Sequence, residues 1–194
     1  MLARTFKLIA TAVGIVAVLL VVMILVVQVP EWWDDHKAEK LAHLSGLCNQ
    51  FTNWTLDDPQ AAPDETIPLK GKVLFVKMDS NSNRLSGDLH GPDFLTLELP
   101  ENLFPEKAED VGVIVGLHWG EQYVGQYEGG STGYRETCTV KVYDAAGKRL
   151  VMERTIMGED PPEFVSEAKD SHVKKKYYGP GCDKQILEMI TKKL

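Results

Sequence analysis

Cysteine is scarce in this chain. Its 194 residues hold three, Cys48, Cys138 and Cys182, too few for a disulfide scaffold and odd in number, so one intramolecular bridge is the most that can form. No Cys-x-x-Cys is present, which removes the usual dithiol redox motif. Internal repeats and long low-complexity runs are missing too, leaving no sign of a repeat architecture. An excess of positive charge is also lacking: 21 Lys and Arg stand against 28 Asp and Glu. All the acidic residues lie beyond Pro30, whereas Arg4 and Lys7 lie before it. That balance argues against nucleic acid as a partner and for a self-repelling, soluble exterior.

One long apolar run is present. From Leu8 to Val29 the chain reads LIATAVGIVAVLLVVMILVVQV, 22 residues without a charge, enough at about 1.5 Å per residue to cross a hydrocarbon core of roughly 30 Å. A cleaved leader has a shorter apolar core and a small-residue exit. Here the exit is Gln28-Val29-Pro30-Glu31, and the only Ala-x-Ala (Ala10, Thr11, Ala12) is inside the run, so a retained signal anchor is expected. Arg4 and Lys7 on the near side favour a cytoplasmic N-terminus, with Lys37 and Lys40 on the far side weighing against it. Trp32 and Trp33 suit the headgroup level. The expectation is a single-pass membrane protein with its C-terminal part extracytoplasmic.

The resulting organisation is a cytoplasmic tail over residues 1–7, a transmembrane anchor over 8–29, a juxtamembrane helix over 30–56, a linker over 57–70 and an extracytoplasmic domain over 71–194. In the juxtamembrane helix Leu41, Leu44, Leu47, Cys48 and Phe51 share one face. That stripe can dock on its own domain or on the same helix of a second copy. Asp57-Asp58-Pro59 through Pro63-Asp64 has linker chemistry. Asn53-Trp54-Thr55 fits a glycosylation sequon, a pattern that arises often by chance.

Beyond the linker the apolar period becomes two. Lys72–Met78, Phe94–Leu99 and Val111–Leu117 read as strands, and Trp119-Gly120-Glu121 reads as a tight reversal into a strand over Gln122–Tyr127. Tyr134–Tyr143, a turn at Asp144-Ala145-Ala146-Gly147, and a return from Arg149 to Met157 form a hairpin. Pro105–Asp110 suits a short helical turn, and Asp183 suits the cap of a helix carrying Ile186, Leu187, Ile190 and Leu194 on one side. Asp160-Pro161-Pro162-Glu163 resembles a helix start, but the Lys-rich stretch after Ser171 argues against a long helix. The expected fold is α+β, a mainly antiparallel sheet of about five to six strands with a C-terminal helix on one face.

Gly129-Gly130-Ser131-Thr132-Gly133 matches the Gly-x-Ser-x-Gly of an esterase nucleophile elbow, with Asp144, Asp160, Asp170 and His172 downstream. An elbow needs a helix immediately after the serine, and here a strand is expected. No Gly-Lys-Ser/Thr comes after it, so the glycines do not form a phosphate loop either. They read as a connection between strands. His36, Glu39 and His43 share a helix face, but the two histidines are about 10 Å apart along the axis, too far for one ion with bonds of about 2 Å. His90, His118 and His172 have no neighbouring ligand cluster in sequence. Cys138 is expected on the core side with Val140 and Val142, and Cys182 at the start of the covering helix, which leaves open either a Cys138–Cys182 bridge or three free thiols. Lys174-Lys175-Lys176-Tyr177-Tyr178 reads as a solvated loop or as a contact for headgroups or an acidic partner.

No catalytic, cofactor-binding or metal residue is assigned from these patterns, and no cofactor is expected. The reading is a membrane-anchored extracytoplasmic interaction or binding domain. Its partners would be membrane lipid at the N-terminal helix, and an envelope protein or a second copy through the juxtamembrane helix. The alternative is a membrane-tethered hydrolase using Ser131 or an acid-base pair that meets only in space.

Overall fold

A computed structural model describes residues 37–51, 54, 61–78, 91–165 and 174–194. The apolar segment 8–29 lies outside them, and among the described residues no helix is long and apolar enough to cross a membrane. The chain divides into two compact units, Met1–Ala42 and His43–Leu194. Of the first, residues 37–42 are described and are helical. Helix runs from 37 to 50 (α1), and its residues from His43 onward belong to the second unit, which holds the sheet.

The architecture is α+β, built on a mixed five-stranded sheet: β1 Lys72–Lys77, β2 Val111–Gln126, β3 Thr132–Asp144, β4 Arg149–Met157 and β5 Lys176–Tyr178, closed by helix α2, Asp183–Lys193. The order is β1-β2-β3-β4, with β5 beside β3. β2–β3 and β3–β4 are antiparallel. β1–β2 and β3–β5 are parallel. The sheet is therefore mixed rather than mainly antiparallel, and the cause is local. Phe94–Glu98 is a 3₁₀ helix, not a strand. Asp93 accepts from the Leu95 N–H at 3.0 Å, and the Thr96 hydroxyl both accepts from the Phe75 N–H at 3.1 Å and donates to the Phe75 carbonyl at 3.3 Å. Such side-chain bonds offer the backbone an alternative to a ladder. Among the described residues no strand lies between β1 and β2, and the two pair in parallel, as neighbouring strands joined by a crossover do.

A second departure is β2. The expected reversal at Trp119-Gly120-Glu121 is absent, and the strand continues for 16 residues, pairing Trp119 with Cys138, Gly120 with Thr137 and Glu121 with Glu136. The chain turns later. Tyr127 N–H donates to the Ser131 carbonyl and Gly130 N–H to the Tyr127 carbonyl, each at 2.9 Å. Gly130 takes φ 85°, which a side chain resists. The 134–157 hairpin forms where expected, a 3₁₀ turn occupies Ala108–Asp110, and the C-terminal helix begins after Cys182. Residues 158–165 contain no helix.

Alternation along the strands gives the sheet two buried faces. Val73, Phe75, Val113, Val115, Leu117, Cys138, Val140 and Val142 pack with Leu95 and Leu99, and with Ile186 and Ile190 of α2. Leu74, Val76, Ile114 and Tyr143 pack on the other side with Leu44, Leu47 and Cys48 of α1 and with Trp54. Of the stripe read from the sequence of α1, Leu44, Leu47 and Cys48 are thus buried against this sheet, with Phe51 half-buried beside them. Trp54 closes the face by donating its indole N–H to the Ala145 carbonyl at 3.2 Å and by meeting Tyr143 edge-on at 5.6 Å.

Candidate functional site

The face under α2 is not sealed at its edge. A cleft of about 810 Å³ opens there, a size suited to a small ligand or a short peptide segment. The end of β1 supplies Lys77, the 3₁₀ helix and its flanks supply Asp93, Phe94, Leu95, Glu98 and Pro100, and the middle of the sheet supplies Trp119 and Glu136. Asp183, Lys184, Leu187, Glu188 and Thr191 of α2 form the remaining wall. Five carboxylates therefore face two lysines.

The floor is held rigidly. Asp93 is 4 % exposed, and its second oxygen accepts from the Trp119 indole N–H at 3.2 Å, so one carboxylate fixes both the 3₁₀ segment and the aromatic ring. Glu136 Oε1 accepts from the Cys182 N–H at 3.1 Å, meeting one of the free donors at the start of α2. Asp183 has its pKa raised, first by desolvation and then by Glu136, Asp93 and Glu98. These three carboxylates are close enough to oppose the ionisation of Asp183. At the mouth, Phe94 is 58 % exposed and carries the Lys77 ammonium 5.3 Å from its ring centre.

Ser131 has no part in this cleft. It is fully buried, its Oγ accepts from the Lys175 N–H at 2.9 Å, and β3 begins at the next residue. Asp160 is paired with Arg135, and Asp144 accepts from Arg149 at 3.0 Å. Asp170 and His172 lie outside the described residues. So do His36, His90, Asn53 and Thr55. Glu39 and His43 are exposed on α1, and His118 is half-buried in β2. Among the described residues no group of three or more His, Cys, Asp or Glu is placed to hold a metal ion.

The basic-aromatic segment is structured. β5 lies along β3, Lys176 and Tyr178 donate to the two oxygens of Glu121 at 2.8 and 2.5 Å, and Tyr178 stacks on Tyr134. Glu121 is held below the usual carboxylate range by Lys176 and Tyr178. All three cysteines are free and buried, and desolvation raises Cys48 and Cys182 to about 11.

None of the cleft residues Asp93, Phe94, Glu98, Trp119 or Glu136 stands out in the sequence. They come from the 3₁₀ segment, its Asp93 cap and two strands, and no local spacing links them. No known protein family, curated protein or solved structure matches this chain.

Proposed function

We propose that this protein is a binding module held at the outer face of a membrane by its apolar segment 8–29, and that it takes a basic segment of a partner protein into the cleft beneath α2. The observation that carries this reading is the cleft itself: five carboxylates against two lysines around an ordered tryptophan and an exposed phenylalanine. Carboxylates hold ammonium or guanidinium groups, aromatic faces attract cations and cover their aliphatic stems, and a strongly acidic exterior raises the rate of encounter with a basic partner. The membrane anchor brings the module and an envelope partner into one layer.

A hydrolase acting through Ser131 gains no support from a hydroxyl that is buried and already bonded to backbone. The binding reading is tested with labelled Lys-Lys-Lys amide as probe, followed by fluorescence anisotropy. Saturable binding that weakens as salt rises is expected. Replacing Glu98 and Glu188 together with Gln should weaken it by about three- to tenfold while leaving the fold intact. Binding that ignores both salt and these substitutions would refute the proposal.

A further inference from the structure

Two buried nucleophiles stand behind the cleft. Cys138 and Cys182 are both fully buried and share one core cluster. Cys138 projects from β3 between Trp119 of β2 and Ile156 of β4, its cross-strand neighbours. Cys182 sits at the foot of α2 with its Sγ 3.6 Å from the Ile156 carbonyl and 3.7 Å from the Glu136 carbonyl. It therefore lies over the stretch of β3 and β4 from which Cys138 rises. Glu136 precedes Cys138 by two residues, so it shares that face, and it also binds the Cys182 N–H. Cys48 belongs to the cluster on the opposite side of the sheet. Each of the paired thiols makes only weak S–H contacts to backbone carbonyls, Cys138 to Thr139 at 3.9 Å.

We infer that Cys138 and Cys182, both free thiols in this structure, are joined on oxidation in a disulfide that fastens the first turn of α2 to the middle of the sheet. The oxidant is a disulfide-bearing species, protein or small molecule. The thiolate of one cysteine attacks it, forming a mixed disulfide and releasing one thiol. The second cysteine then displaces the other thiol, so that two protons and two electrons pass to the oxidant. Burial holds both thiols in the protonated form in the finished core, which places the reaction during folding. The bond would fix the separation of Glu136 and Asp183, each within two residues of a bridged cysteine and both lining the cleft. The pairing rests on the shared core cluster and on the seat of Cys182 over the Glu136 and Ile156 carbonyls, while its presence in the cell rests on the extracytoplasmic placement proposed above.

The test uses the full chain in detergent micelles, refolded with reduced and oxidised glutathione, then denatured and treated with iodoacetamide. One alkylated thiol, Cys48, and a cross-linked peptide joining 138 to 182 are expected, and Cys48→Ser should leave the cross-link intact. Reduction should lower the Tm of the wild type by roughly 10 °C and leave that of Cys138→Ser unchanged. Three alkylated thiols, or a bridge that includes Cys48, would overturn the inference even if Cys138→Ser fails to fold. A bridge that forms in glutathione, in a chain that is fully reduced when isolated from cells, would uphold the pairing and refute the membrane placement.

Discussion

The two faces of the sheet use the same strands to different ends. Under α1 the contacts are apolar, Leu44, Leu47 and Trp54 against Leu74, Val76, Ile114 and Tyr143, and the polar edge of Trp54 finds a backbone carbonyl. Under α2 an equally apolar centre, Ile186 and Ile190 against the valines of β2 and β3, gives way at its margin to carboxylates and an open cleft. Burial alone accounts for the first face. The second keeps like charges near one another, a cost that packing does not require and that a ligand of opposite charge would offset.

The contrast is broken most severely by removing α1. A chain beginning at Ala61, which keeps Leu69 of the α2 face, leaves Leu74, Val76, Ile114 and Tyr143 without their cover, and it should be insoluble or melt without a cooperative transition, as seen by circular dichroism. A soluble, cooperative fragment would show that the α1 face is dispensable.

Single truncations sharpen the comparison. Leu44→Ala and Ile186→Ala each remove a fully buried side chain and should each cost about 2–4 kcal/mol in urea unfolding. Only Ile186→Ala should also weaken binding of the basic probe, because its helix is a wall of the cleft.

Ser131→Ala comes next. Its hydroxyl reads as an exposed loop group in the sequence, but the structure buries it and gives it the Lys175 N–H. The substitution strands that donor, at a cost of about 1–2 kcal/mol. Labelling of the wild type by a fluorophosphonate, lost in Ser131→Ala, would instead revive the nucleophile.

The smallest effect concerns pH. Asp183 has a raised pKa in the fold, so between its unfolded and folded values the native state binds more protons, and stability falls as pH rises through that window. Asp183→Asn removes this loss. Its stability relative to wild type should improve from acid toward neutral pH, and a difference constant with pH would contradict the assignment.

How much of the fold was legible in the sequence depended on whether local chemistry and tertiary pairing agreed. In the hairpin over 134–157 and the helix after Cys182 they agree, since period, turn residues and burial give one answer. At Phe94–Leu99 they conflict. Leu95, Leu97 and Leu99 alternate as a strand would, yet Leu95 and Leu99 are also four residues apart, Asp93 caps a 3₁₀ turn at the Leu95 N–H, and the Thr96 hydroxyl ties that turn to the backbone of Phe75 in β1. Gly120 resembles a turn, but its partner across the ladder is Thr137, and a Cβ there would come within 3.0 Å of the Thr137 hydroxyl, so it is a close approach within a strand. The cleft was hidden because Asp93, Trp119, Glu136 and Asp183 are scattered along the chain and meet only once β1 and β2 run parallel and α2 folds back.

The most direct test of a basic partner in the cleft is a map of where the basic probe binds. Amide and indole N–H resonances of the isotopically labelled chain in micelles are followed by NMR while Lys-Lys-Lys amide is added. Saturable shifts are predicted for the Trp119 indole, for the amides of Phe94–Glu98 and for those in the first turns of α2, with α1 and Tyr143 unmoved. Shifts spread evenly over the acidic surface, or centred on the α1 face, would contradict binding in the cleft.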